Sequence, residues 1–230
     1  NTSKLQYSFK RENKEIYMKK KDIGFIVIEG PIGVGKTTLA KKLANSLGYD
    51  IYLEKYQNNP FLKMFYTNPE KYALATQLHF LIHRYNELMI DNGIFNGRNL
   101  VSDFFIQKDK LFAKTILNKE EYDLYLSIEK NLKISYPVPN LVIYLQANNE
   151  TLHDRIRTRD HEFEKNIDFK YLNNINEAYT KFFYSYKESP LLIINTSSVN
   201  VNNDKDYSHL LKEINRSLTG RNFLNPSGVQ

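Results

Sequence analysis

Gly30-Pro31-Ile32-Gly33-Val34-Gly35-Lys36-Thr37 fits the pattern G-x-x-x-x-G-K-[ST] at every fixed position. The run before it, Gly24-Phe25-Ile26-Val27-Ile28-Glu29, reads as a short buried strand. The run after it, from Thr37 to Ala44, opens a helix whose Leu39, Leu43 and Leu47 recur at helical spacing. Strand, glycine loop and helix in this order make a phosphate-binding element. Glycine lets the backbone curl until successive N–H groups point at one anion, and the helix N-terminus adds a favourable dipole. Gly30, Pro31, Ile32, Gly33, Val34, Gly35, Lys36, Thr37 and Thr38 are therefore the candidate nucleotide-binding set. Within it, Lys36 is expected to reach the β- and γ-phosphates and Thr37 a Mg²⁺ ion. A bare glycine turn before a core helix is the bland alternative, and the strand and helix on either side argue against it.

Composition bounds what else the chain can be. Its 230 residues suit one α/β domain with a sizeable core. With no cysteine, disulfides, thiolate metal sites and cysteine nucleophiles are excluded. No stretch approaches eighteen apolar residues and no signal-peptide pattern occurs, so a cytoplasmic protein with no membrane contact is expected. The net charge of +6 and Lys19-Lys20-Lys21 invite a nucleic-acid reading, but clefts that handle polyphosphates also need positive charge. Residues 1 to 22 read as a loose polar arm, 23 to 220 as one domain and 221 to 230 as a tail.

Strands alternate with helices along the domain, which predicts a parallel sheet covered on both faces. Five strands are expected: the first before the glycine loop, then Ile51 to Leu53, Leu100-Val101, Leu141 to Leu145 and Leu191 to Ile194. Asn68 and Pro69 should start a long helix that turns Tyr72, Ala75, Leu78 and Ile82 to the core. Asn118 and Glu121 form a capping-box pattern, a helix from about Asp168 runs to Tyr186, and the last helix is expected from about Tyr207 to Leu218. The asparagine-rich stretch from Asn200 to Asn203 reads as a loop.

In an open doubly wound sheet, ligands sit beyond the carboxyl ends of the strands. Glu29, Glu54 and Asp103 stand there, and a hydroxyl nucleophile attacking a γ-phosphorus needs a base while Mg²⁺ needs oxygen ligands. Glu54 and Asp103 can divide those tasks, with Thr37 and Asp103 as the metal candidates. Arg155 and Arg159, four apart on a helix before a turn, could together clamp a transferring phosphoryl group as part of a lid.

These residues resemble the deoxynucleoside kinases, most closely the bacterial deoxyguanosine and deoxyadenosine kinases. The resemblance runs from about Phe25 to about Tyr186. It rests on the glycine loop, Glu54 with Asn58-Asn59-Pro60-Phe61, Phe65-Tyr66-Thr67-Asn68-Pro69, Thr76-Gln77-Leu78-His79-Phe80 with His83-Arg84-Tyr85, Ser102-Asp103 with Phe112-Ala113, and the segment from Arg155 to Glu164. It implies transfer of the γ-phosphate of ATP to the 5′-hydroxyl of a deoxynucleoside, with Mg²⁺, in a homodimer built on the long helices. By resemblance Glu54 is the general base and Gln77 hydrogen-bonds the base edge. Tyr66 and Glu164 hold the 3′-hydroxyl, and Arg155 and Arg159 grip the donor phosphates, beside the roles already read for Lys36 and Asp103. Arg84 and Asp109 fall where members with purine or cytosine activity place a charged pair beside the base, which favours a purine; a salt bridge between helices is the bland alternative.

The chain also departs from the family pattern. Asp103-Phe104-Phe105 lacks an arginine that many members place after the third strand, so Arg155, Arg159, Lys36 and the metal must carry more of that charge, or another cation replaces it. His161 occupies a lid position where many members have arginine, and its charge there depends on pH near neutrality. Two rival readings are a thymidylate kinase, against which Pro31-Ile32 and Asp103-Phe104 argue, and a nucleic-acid-binding ATPase, for which no aromatic and basic platform is evident.

Overall fold

A computed structural model describes residues 24–90, 98–133, 136–159, 161, 164–216 and 218–226; the arm expected at residues 1 to 22, with its lysine run, lies outside them. The elements in chain order are β1 (Phe25–Glu29), α1 (Lys36–Leu47), β2 (Asp50–Tyr52), α2 (Leu62–Thr67), α3 (Pro69–Ile90), β3 (Leu100–Ser102), α4 (Lys108–Ile116), α5 (Lys119–Leu132), β4 (Leu141–Gln146), α6 (Asn149–Arg159), α7 (Phe169–Ser185), β5 (Leu191–Asn195), α8 (Asp204–Ile214) and β6 (Arg221–Leu224). All strands pair in parallel, in the order β2-β3-β1-β4-β5-β6.

The central strands are buried on both sides, and their alternation divides the core. Ile26 and Ile28 of β1 and Ile143 and Leu145 of β4 pack beneath α1, α6 and α8, with Leu39, Leu43, Leu152 and Leu210. Val27, Val142 and Tyr144 face the other way, onto Ile175, Tyr179 and Phe183 of α7. A third cluster, with Leu62, Phe65, Ala73, Leu81, Ala113 and Tyr125, joins α2 to α5 into a helical layer beside the sheet. The chain leaves β1 for β2 and β3 on one side of it and then crosses to β4 on the other, and this switch opens a crevice above the carboxyl end of β1.

Local chemistry accounts for most boundaries. In the capping box of α5, Asn118 Oδ1 accepts from Glu121 N and the Glu121 carboxylate accepts from Asn118 N. Asp168 caps α7.

Three expectations need correction. The sheet has a sixth strand, because Arg221 to Leu224 pairs with Leu191 to Ile194 where a tail is expected; only Leu224 of β6 is buried, so this edge carries almost no apolar signal. The last helix starts at Asp204 rather than about Tyr207, since Asn203 of the presumed loop is its cap and accepts from Lys205 N and Asp206 N. On α3 the fully buried residues are Ala73, Thr76, Gln77, Leu81 and Arg84; Tyr72 and Leu78 pack partly buried against the third cluster as expected, while Ile82 is 45% exposed. The apolar stripe misplaces part of that face because the helix walls a polar cavity, described next.

Candidate active site

The glycine loop between β1 and α1 is shaped by two close approaches. Gly30 has φ +153°, and a Cβ there would lie 2.2 Å from the Leu145 carbonyl oxygen; at Gly33, with φ +83°, it would lie 2.9 Å from Ile156 Cγ1 of α6. Gly30→Ala is therefore expected to cost about 2–4 kcal/mol, from overpacking and backbone strain together. Thermal unfolding checks this: a Tm within a degree of wild type would show that the loop yields without strain.

Lys36, at the start of α1, donates from Nζ to the loop carbonyls of Gly30 (2.6 Å) and Pro31 (3.1 Å). Burial lowers its ammonium from the usual lysine range, against the pull of Glu29. Thr37 Oγ1 donates to Asp103 Oδ2, and Asp103 Oδ1 accepts from Glu54 N (2.8 Å). The loop, β2 and β3 are thus tied together at their carboxyl ends. A hydroxyl and a carboxylate side by side at a phosphate loop fit a hard divalent cation that takes its other ligands from phosphate and water. Accordingly, the described residues contain no self-sufficient cluster of three or more His, Cys, Asp or Glu.

Beyond the loop lies a cavity of about 580 Å³ whose lining includes Lys36, Glu54, Tyr66, Gln77, Arg84 and Glu164. Of the expected site residues, it also brings in Asp103, Asp109 and Arg159, and His161 stands at its lid side. Glu54 is the electrostatic centre. Burial would raise its carboxyl, yet Lys108 on one oxygen and Arg84 on the other hold it down at about 2, so it is ionised at neutral pH. Arg84 also pairs with Asp109, and its guanidinium lies 5.0 Å from the Phe80 ring and 4.8 Å from that of Phe104. Phe104, standing where an arginine is expected, is one of the two aromatic faces that fix Arg84.

The sugar-side pair is also present. Tyr66 lines the cavity, and burial, with Tyr171 and Glu164 adding to it, pushes its phenol well above the usual range. Glu164 is buried, accepts from Arg159 Nη1 (3.3 Å) through Oε1, and leaves Oε2 without a hydrogen-bond partner. Asp109 Oδ2 is likewise buried and unpartnered. Orphaned buried carboxylate oxygens in a cavity are places for donors from a ligand.

The clamp expected of Arg155 and Arg159 does not form as a pair. Arg155 Nη1 donates to Val34 O (3.3 Å) and Thr196 Oγ1 (2.8 Å), and Nη2 to Thr196 O (2.8 Å). The two arginines share a helix, but Arg155 braces the loop against the end of β5 while Arg159 lines the cavity. Asp160, Glu162 and Phe163 of the lid segment lie outside the described residues.

Two contributors were not assigned a role from sequence. Lys108, the first residue of α4, is 8% exposed and places Nζ on Glu54 Oε2. The available signal was a lysine one short turn past the missing arginine, beside Asp109. Glu29 closes β1 as a buried hub, accepting from Gly30 N (2.8 Å), Phe105 N (2.9 Å) and Tyr179 Oη (2.9 Å), and burial raises its carboxyl. It thereby joins the glycine loop, the turn after β3 and α7.

A parallel sheet with a glycine loop at its topological switch, a lysine and a threonine on the loop, and an ionised carboxylate across the cavity define a phosphotransfer enzyme of the P-loop class. The sequence matches the family model "Deoxynucleoside kinase" over residues 26–219, and the chain belongs to that family. It is 37% identical over 157 residues to a deoxyguanosine kinase of Bacillus subtilis, covering 67% of this chain and 76% of the relative. A deoxyadenosine/deoxycytidine kinase of the same organism is 30% identical over 202 residues, covering 84% and 91%. Among solved structures, the deoxyadenosine kinase of M. mycoides with bound dATP superposes with a TM-score of 0.73 at 23% identity, covering 83% of this chain and 99% of that one. The last similarity bears on fold alone. The family match leaves the thymidylate kinase and nucleic-acid ATPase readings without support.

Proposed function

We propose that this chain transfers the γ-phosphate of ATP to the 5′-hydroxyl of a purine deoxynucleoside, deoxyguanosine or deoxyadenosine. The observation that carries the reading is Glu54, ionised between Lys108 and Arg84 and sharing one cavity with the phosphate loop. A nucleoside whose 5′-oxygen meets Glu54 points its base toward Gln77, Arg84 and Asp109. The free Oδ2 of Asp109 accepts from an exocyclic amine or ring N–H, and the similarity to deoxyguanosine and deoxyadenosine kinases supports a purine.

Glu54 accepts the 5′-hydroxyl proton as that oxygen attacks the γ-phosphorus, and Lys36 and Arg159 meet the charge on the phosphates. Thr37 and Asp103, which hydrogen-bond to each other, would hold Mg²⁺, and the ion would supply charge neutralisation at the phosphates. By the family resemblance the enzyme works as a homodimer in the cytoplasm; no helix among the described residues is long and apolar enough to cross a membrane. Turnover of the four deoxynucleosides and of thymidylate, each with ATP and Mg²⁺, tests the reading. Product from thymidylate alone would overturn it.

Tyr66 and the orphaned Oε2 of Glu164 take the 3′-hydroxyl. A hydrogen bond to a charged acceptor contributes about 1.5–3 kcal/mol, so Glu164→Gln should lower kcat/KM about 10- to 150-fold. The 3′-deoxy analogue of the substrate should lose a similar factor with the native enzyme and little more with the variant. Additive losses would place the hydroxyl elsewhere.

A further inference from the structure

In-line phosphoryl transfer spreads charge over three equatorial oxygens, and cations beside the reacting centre must meet it. Among the described residues, the cations that line the cavity are Lys36, Lys41, Lys55, Arg84, Lys108 and Arg159, of which Lys41, Lys55 and Arg159 are exposed. Lys36 comes from the loop, and Arg159 comes from the lid, where it pairs with Glu164. Arg84 is fixed between Glu54 and Asp109 and stacked between Phe80 and Phe104, which leaves it no path to the phosphates. Lys55 pairs with Glu87 at the exposed rim, Lys41 is exposed on α1, and Arg155, outside the cavity lining, is engaged by Val34 and Thr196.

Lys108 remains, and its placement is built. Its backbone N–H donates to Phe105 O (3.0 Å), and the Phe105 N–H is in turn held by Glu29, the residue that also accepts from the glycine loop. The turn that launches α4 is thus anchored to the phosphate loop by one buried carboxylate. Along the side chain, Phe104 covers the ammonium at 5.7 Å, and Nζ ends on the carboxylate oxygen of Glu54. Its ammonium therefore lies one carboxylate away from the oxygen that becomes the nucleophile.

Resting on the kinase reading above, we infer that Lys108 is a catalytic cation of the transfer: parked on Glu54 at rest, it turns to the equatorial oxygens of the γ-phosphoryl group as the reaction proceeds. The charge balance drives the move. When the 5′-hydroxyl proton passes to Glu54, the carboxylate that held the ammonium is neutralised. At the same moment the O5′–Pγ bond forms, the bond from Pγ to the β,γ-bridging oxygen breaks, and the electron pair leaves on ADP. Lys108 keeps its own protons throughout. The ammonium loses one anion as another develops beside it, which supplies in this chain the charge that the residue after Asp103, a phenylalanine, cannot.

Lys108→Met, Lys108→Gln and Lys108→Arg, compared with the native enzyme on the best deoxynucleoside, test this, with nucleoside binding by calorimetry confirming that each is folded. The expected result is a kcat 10- to 100-fold lower for Met and Gln, KM for both substrates within about threefold, and recovery of at least half of the logarithmic loss by Arg. Replacing ATP by its γ-thio analogue adds a readout that a structural role would not move. The ratio of kcat with ATP to kcat with the analogue should fall in Lys108→Met, because the contact that sulfur weakens is already gone. Native-like kcat, a loss confined to KM, or an unchanged thio ratio would each overturn the role of Lys108. A native enzyme inactive on every deoxynucleoside would instead sink the kinase reading itself.

Discussion

Glu54→Gln is expected to lower kcat by about a hundredfold or more while the deoxynucleoside still binds, the usual scale for removing a general base. Gln keeps the shape of Glu and one accepting oxygen for Lys108; its amide NH2 then faces Arg84, which retains Asp109 as its anion. Near-normal turnover would remove Glu54 from its role. The same carboxylate should be visible in stability. Its folded value of about 2 lies below the ordinary 4.5, so its contribution is fully present above about pH 4.5 and is lost as pH falls toward 2. Urea unfolding of the native protein at pH 6 and pH 3 should show that loss, and in Glu54→Gln the difference should be smaller. An identical pH dependence in the two proteins would mean that Lys108 and Arg84 do not hold the group ionised.

How much of this was readable in advance depended on whether chemistry or geometry sets the residue. The glycine loop was legible because phosphate binding dictates residue type at each position, down to a glycine that cannot carry a Cβ beside Leu145 O. The capping box of α5 was legible for the same local reason. β6 was not, since an exposed edge strand is held by backbone pairing and asks little of its side chains. The buried face of α3 was legible only in part: Leu78 packs on the core and Gln77 and Arg84 were readable as site residues, but burial there also takes Thr76 and leaves Ile82 outside, because the helix walls a polar cavity. Arg155 and Arg159 share a spacing, yet which of them meets the cavity depends on how α6 sits against Val34 and Thr196, a tertiary fact. The partner of Glu54 was hidden likewise: Lys108 lies 54 residues away and meets it only when β2 and α4 are brought together by the sheet.

Lys36→Ala is expected to lower kcat by about 10²–10³-fold, the range for removing one preorganised charge at a transferring group. In the structure the Lys36 ammonium bonds the carbonyls of Gly30 and Pro31, folded back across its own loop. Neither contact involves a charged partner, so phosphate oxygens, which are anionic, compete for it successfully when ATP enters. The loop's shape does not hang on these two bonds. Gly30 and Gly33 are fixed by their approach to Leu145 and α6, and Glu29 holds Gly30 N from the other side. The variant should therefore fold, with a Tm within a few degrees of native, and bind the deoxynucleoside normally. Its defect should fall on ATP: a raised KM for the nucleotide together with the lost kcat, because the ammonium contacts phosphate both before and during transfer. Lys36→Arg should recover little, since a planar guanidinium cannot follow an ammonium through the narrow curl of the loop. Full rescue by arginine would show that the loop needs only charge at this point, and an unchanged KM for ATP would show that Lys36 engages the phosphates only in the transition state.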